Sequence, residues 1–301
     1  MINRVTSAMT TAVTRANLQD SARTLAQLQE RAASREAISR PSDDPAGTRT
    51  ALAARAELTR TTQYERNLQN ADTWLNGVDS ALQSGLDIMN RVQELALRGA
   101  SGTLNEAGRA ANATEIEQLR SELLSLANTQ VLGRSIFAGT STRGAAYEGT
   151  PPTWTGPLAD DGKTAAATVQ RRISDTETIQ VDLPGPAAFG NGTSSVFAVL
   201  DKLAQDLRSD ADITPSIATI EAARKNMASA LTESGARHAT VGRAMEATQL
   251  RLTELEATRG STEETDLAEA ALELKMQQIN YEAALAVTAQ ALQTSLLDYL
   301  R

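Results

Sequence analysis

Two features of this 301-residue sequence have residue types suited to chemistry: the adjacent carboxylates Asp43 and Asp44 in SRPSDDPAG (residues 39–47), and the single histidine, His238. Paired carboxylates can share general acid and base work or hold a hard divalent cation through oxygen. A lone imidazole can carry a proton near neutral pH. Both chemistries need companions. The chain has no cysteine, which removes thiolate nucleophiles, thiolate metal ligands and disulfides. No second histidine, glycine-rich phosphate loop or further acidic cluster of ligand spacing accompanies the aspartates. Adjacent residues in a turn usually direct their side chains apart. His238 lies in GARHATVG, among small and polar residues, and reads as a solvated histidine on a helix face. No catalytic, metal or cofactor site is assigned.

The same residues have structural work to do. Pro41 disfavours helix at Arg40, so a first helix should stop about there. Asp44 before Pro45 is a helix start: an N-cap acceptor, then a residue with no N–H to leave unpaired. Asp43 adds negative charge near the positive end of the new helix. Ser42, Asp43, Asp44, Pro45 and Gly47 therefore read as a hinge between two helices. An enzyme built on Asp43 and Asp44 is the rival reading.

The elements around this hinge are helical. Leu68, Ala71, Leu75, Val78, Leu82, Gly85, Met89, Val92 and Ala96 alternate steps of three and four without a miss, as in a coiled-coil seam. A helix from Pro45 to Arg98 would be about 80 Å long at about 1.5 Å per residue. Ile116, Leu119, Leu123 and Leu126 mark another helix. Val196, Leu200, Leu203 and Leu207 mark a short one, and a long one runs from about Pro215 to Arg259. Between them lies an island holding nine of the 18 glycines and five of the eight prolines. Within it, Thr168–Ser174 and Glu177–Leu183 show partial period-two alternation, and Trp154 and Phe189 read as residues of a small core. The fold class expected is mainly α: a long antiparallel helical rod or coiled-coil bundle with a small β-rich inserted domain. The domains expected are residues 1–43 with 267–301, residues 44–140 with 195–266, and the insertion 141–194.

Both chain ends carry an apolar stripe with nothing adjacent to bury it. Leu18, Ala22, Leu25 and Ala32, with Leu28 alongside, form one. Leu285, Ala289, Leu292, Leu296 and Tyr299, with Tyr281 a turn earlier, form the other. These stripes must pair with each other or with neighbouring molecules. Residues 1–40 carry six arginines against three acids, and residues 261–301 seven acids against two bases, which favours mutual pairing. The net charge of -8 argues against nucleic acid as a partner. The polar face of the last helix carries Glu282, Gln290 and Asp298 rather than lysines, which argues against a membrane surface. The N-terminal stretch lacks the apolar core of a cleaved secretory signal.

ISRPSDDPAGT followed by NLQNADTWL (67–75) resembles the N-terminal signature of the flagellin superfamily. RSIFAGTST (134–142) resembles the tip of that family's helical domain, and GARHATVGRAME (235–246) and TDLAEAALEL (265–274) its C-terminal half. The resemblance covers about four-fifths of the chain and skips the insertion. The PSDDP form, IFAGT and the final SLLDYLR look more like the hook–filament junction branch than like flagellin itself. The resemblance implies an extracellular structural subunit, exported through the flagellar type III channel without a cleaved signal. It implies self-assembly through terminal helices that are disordered in the free monomer, with Leu18, Leu25, Leu28, Tyr281, Leu285, Leu292 and Leu296 in the interface. Its implied partners are other copies, the other junction protein, flagellin, and a cytoplasmic export chaperone on the C-terminal helix. A minor flagellin is the nearest alternative, and a cytosolic helical adaptor a distant one.

Overall fold

The computed structural model describes residues 7–101, 104–159 and 165–299. The fold is mainly α. Helix α1 (Ser7–Ser34) is followed by α2 (Pro45–Ala100) and α3 (Glu106–Ala127). Six strands follow: β1 (Gln130–Val131), β2 (Arg134–Ser135), β3 (Tyr147–Glu148), β4 (Thr153–Trp154), β5 (Gln170–Arg172) and β6 (Thr178–Gln180). Helices α4 (Gly185–Phe189), α5 (Val196–Ser209), α6 (Thr214–Glu263) and α7 (Leu267–Tyr299) complete the chain. It divides into two compact units, residues 60–251 and residues 1–59 with 252–301.

The larger unit is built on the stripe of α2. All nine seam positions from Leu68 to Ala96 are buried, none of the apolar side chains above 1% exposure. Trp74, Ala81, Ile88 and Leu95 are buried as well, each seven residues beyond the last. This second column exists because α2 is covered across a wide face. Ile116 and Leu123 of α3, Leu200 and Leu207 of α5, and Ile220 and Met227 of α6 share its core. Gly85 marks the closest approach. A Cβ there would lie 3.0 Å from Met227 Sδ and 3.3 Å from Leu123 Cδ1, so three helices meet at a position with no side chain. The exposed edges of α3 and α5 are joined by ion pairs Arg120–Asp201 (2.7 Å) and Arg208–Glu117. Such pairs contribute roughly 0–1 kcal/mol each, so the apolar contact decides the packing.

The glycine- and proline-rich island forms three separate antiparallel hairpins, β1–β2, β3–β4 and β5–β6. The period-two segments pair as expected, with Arg171 opposite Ile179. The aromatic residues converge here. Phe137 and Phe189 meet edge to face at 5.1 Å between centroids, and Tyr147 and Phe197 at 5.0 Å. The Trp154 indole N–H donates to the Phe137 carbonyl at 2.8 Å, and the Tyr147 hydroxyl to the Gly190 carbonyl at 2.7 Å. Asn128, which ends α3, accepts from the N–H groups of Ala146 and Tyr147, both at 2.8 Å. Because Phe197 belongs to α5 and Asn128 to the end of α3, residues 141–194 share the larger unit's core instead of standing as a third body.

His238 is less solvated than its small neighbours suggest. Its Nε2 lies 2.8 Å from Asp72 Oδ1 and its Nδ1 3.7 Å from Asp79 Oδ2. The two aspartates stand seven residues apart on α2 and so lie on one side of it. Only the tertiary arrangement brings this α2 face to the histidine of α6.

Asp182 is fully buried. One carboxylate oxygen accepts from Val169 N–H at 2.9 Å; the other has no partner among the described residues. Burial pushes this carboxyl from 3.8 up to about 6. Between those values the folded chain holds a proton that the unfolded chain has released, so stability falls as pH rises through that window. Asp182→Asn keeps the acceptor for Val169 and removes the charge. It is expected to stabilise the fold at pH 7 by on the order of 2–3 kcal/mol and to flatten the pH dependence between about 4 and 6, read by thermal unfolding across that range.

Candidate functional site

Both carboxylates of the hinge are engaged by backbone. Asp44 Oδ1 accepts from the N–H groups of Ala46 and Gly47, each at 2.9 Å, capping α2 at Pro45. Asp43 closes the preceding turn: its Oδ2 accepts from Arg40 N–H at 2.9 Å, and its own N–H donates to the Arg40 carbonyl at 2.9 Å. Ser42 Oγ reaches Asp43 Oδ1 at 3.5 Å. Gly47 is required by a close approach, since a Cβ there would run into the Asp44 carboxylate and the Ile38 side chain. Among the described residues no group of three or more His, Asp and Glu converges as metal ligands would.

Helix α1 ends at Ser34, six residues before the stop expected from Pro41. Arg35 takes a left-handed conformation (φ 62°), and the chain then turns into a strand-like contact. Ala37 N–H donates to the Glu263 carbonyl at 2.7 Å and Thr265 N–H to the Arg35 carbonyl at 3.1 Å, with Glu36 opposite Glu264. This explains the early end of α1, because residues 35–37 exchange helical hydrogen bonds for bonds to the break between α6 and α7. Arg55 of α2 grips the same break, its Nε 2.7 Å and a terminal nitrogen 2.9 Å from the two Glu263 oxygens. Asp266 caps α7, accepting from Ala268 N–H at 2.8 Å. An open groove of about 660 Å³ borders the stitched breaks, lined by Ile38, Leu52, Arg55, Arg259, Glu264 and Leu267 among others.

The stitch starts α7 beside the end of α1, and the two helices pack antiparallel. On α1 the covered line is Leu18, Ser21, Leu25, Leu28 and Ala32; on α7 it is Ala270, Leu274, Gln277, Tyr281, Ala284 and Thr288. Both lines alternate steps of three and four. Gln277 bridges the seam, donating to the Ser21 hydroxyl at 3.0 Å. Leu18, Leu25, Leu28 and Tyr281 are therefore brought together. Leu285 lies off this seam at 42% exposure. The seam runs through Tyr281 to Ala284 and Thr288, and a leucine one position beyond Ala284 is turned away from α1. Leu292 and Leu296 belong to α7, but their side chains lie outside the described residues. The residues missed by sequence reasoning are Ser21 on α1 and Ala270, Leu274, Gln277, Ala284 and Thr288 on α7. Most of these are small or polar and do not mark a stripe, although with Leu274 and Tyr281 they keep the four-three spacing.

Residues 5–142 match the bacterial flagellin N-terminal helical region and residues 217–300 the bacterial flagellin C-terminal helical region, together most of the chain. Flagellar hook-associated protein 3 of Escherichia coli strain K12 is 27% identical over 182 residues, covering 60% of this chain and 55% of that protein. The chain thus spans about half the length of that curated relative. A flagellar filament 30.7 kDa core protein of Treponema maltophilum is 27% identical over 111 residues, 36% of this chain and 39% of that one. A solved flagellar hook-associated protein from Vibrio parahaemolyticus shares the fold at a TM-score of 0.65 and 22% identity, covering 74% of this chain and 100% of that one.

Removing the cap by Asp44→Ala is expected to cost about 1 kcal/mol. Gly47→Ala should cost more, because the new methyl displaces the capping carboxylate. The double variant should cost less than the sum of the two, since Asp44→Ala removes one of the clashing groups. Denaturant unfolding of the three variants, followed by circular dichroism, reads this cycle. Additive losses would contradict the contact.

Proposed function

The chain belongs to the bacterial flagellin family, and on that premise we propose that it is a structural subunit of the flagellum at the junction between hook and filament. The observation that carries this reading is incomplete burial of the α1–α7 seam. Seam side chains of the larger unit sit at about 0% exposure, whereas Leu18, Leu25, Leu28 and Tyr281 remain only partly buried. Fully burying a leucine-sized side chain contributes roughly 1.5–3 kcal/mol, and a two-helix pair collects only part of it. Neighbouring copies would supply the rest, so that burial is completed by assembly. A head-to-tail contact that does not close builds a helical array, as a junction zone requires.

In this reading the chain is no enzyme, and its residues act by packing. The hinge Ser42–Gly47 and the stitch to Glu263–Thr265 fix where the paired helices begin. The partners proposed are further copies, the second junction protein on the hook side and flagellin on the filament side. An export chaperone would cover the C-terminal helix before secretion through the flagellar channel. The similarity to filament core proteins favours one alternative, a filament subunit. A junction subunit stops after a short zone, whereas a filament subunit grows long polymers on a seed.

Tyr281→Asp is expected to leave the larger unit folded, with most of its helical signal retained, and to reduce the chain in sheared flagella at least tenfold by immunoblot. Immunolabelling of the unmodified chain should give one short band at the base of each filament. Label along the whole filament would favour the filament subunit, and normal incorporation of the Tyr281 variant would remove the assembly role of the seam.

A further inference from the structure

The sequence holds two Asn-Gly pairs, Asn76-Gly77 and Asn191-Gly192, and the fold treats them in opposite ways. Such a pair has a reaction of its own. The glycine nitrogen, with no neighbouring side chain to shield it, can attack the asparagine amide carbon and close a cyclic imide. The asparagine ψ must first swing until that nitrogen faces Cγ, so the surrounding structure decides whether the reacting atoms meet. Asn76 lies inside α2, where the Gly77 N–H belongs to the helical ladder. Asn76 Nδ2 donates to Asp72 Oδ2 at 3.0 Å. Hairpin β1–β2 packs over the glycine, where a Cβ would lie 2.7 Å from Val131 Cγ2. Swinging ψ there would break a helix of 56 residues.

Asn191 lies between α4 and α5 in extended backbone (φ -140°, ψ 151°). Its Oδ1 accepts from Gly192 N–H at 2.9 Å and from Trp154 N–H at 3.2 Å. The Gly192 N–H has no backbone acceptor among the described residues. Gly192 takes φ 57°, and nothing lies within 4 Å of where its Cβ would stand. Swinging ψ at Asn191 gives up only a short turn, in which its carbonyl accepts from the Ser194 N–H at 3.3 Å and hydroxyl at 3.0 Å. We infer that Asn191 is a site of spontaneous covalent modification, selected by the fold. The Gly192 nitrogen bonds to Asn191 Cγ and gives its proton to hydroxide. Negative charge builds on Oδ1, where the Trp154 N–H already donates. The Cγ–Nδ2 bond then breaks, and Nδ2 takes a proton from water and leaves as ammonia. Water opens the imide at either carbonyl, giving aspartate or isoaspartate. The isoaspartyl product lengthens the backbone between Gly190, whose carbonyl holds the Tyr147 hydroxyl, and Ser195, which caps α5.

The second pair serves as an internal control. The full chain is incubated for weeks at mildly alkaline pH, either folded or in concentrated guanidinium chloride, and its proteolytic peptides are followed by mass spectrometry. In the folded chain the acid is expected to accumulate at position 191 about tenfold or more faster than at position 76. In denaturant, where both pairs are free to swing, the two rates should agree within about threefold. The rate at Asn191 should rise with pH, because hydroxide takes the Gly192 proton. No conversion at Asn191 in the folded chain, or equal rates at the two sites there, overturns the inference. A disparity that persists unchanged in denaturant also overturns it, since local sequence would then suffice without the fold. None of these outcomes bears on the place of the chain in the flagellum.

Discussion

The rest of the smaller unit depends on two backbone hydrogen bonds, Ala37 N–H to the Glu263 carbonyl and Thr265 N–H to the Arg35 carbonyl. They place the end of α1 and the start of α7 side by side, although about 230 residues separate them in the chain. From that common origin the helices run antiparallel with one register, which the Gln277–Ser21 bond holds. Without the stitch the two apolar lines would still exist, but only the Gln277–Ser21 bond would remain to set which residues face each other. The flanking groups reinforce it: Arg55 holds Glu263, Asp44 caps α2, and Asp43 closes the turn between them.

The two units resolve the same physical problem differently. In the larger one, α2 is surrounded and its stripe is dry, which yields nearly the full transfer free energy of each side chain. In the smaller one, two helices share a single seam and each retains a wide wet surface. A pair of helices has too much surface for its volume to bury a core. The contrast is one of burial: the stripe of α2 is dry, whereas the seam between α1 and α7 is only partly covered.

The β-rich region shows how a chain poor in aromatics uses them. All three phenylalanines, Phe137, Phe189 and Phe197, gather with Tyr147 in one cluster beside Trp154. Hairpins of two or three residues per strand have little stability of their own. Edge-to-face aromatic contact, and hydrogen bonds from the indole and phenol to backbone carbonyls, fasten them to the ends of α3 and α5. Asp182 sits within this packing at the cost of a carboxylate oxygen left without a partner among the described residues.

By itself the sequence determined the helices, the start of α2 at Pro45, the unbroken stripe from Leu68 to Ala96 and the pairing of the two period-two segments. Each of these is set within a few residues of one another, by side-chain spacing, a capping acceptor or a short turn. Tertiary structure alone decided that α1 ends at Ser34, that the seam of α7 runs through Ala284 and Thr288 rather than Leu285, that His238 meets Asp72, and that the insertion shares the larger core. Periodicity says that a helix has an apolar line, but not from which side its neighbour arrives. That is fixed by contacts between residues far apart in the chain, whose free energies carry no mark in the local sequence.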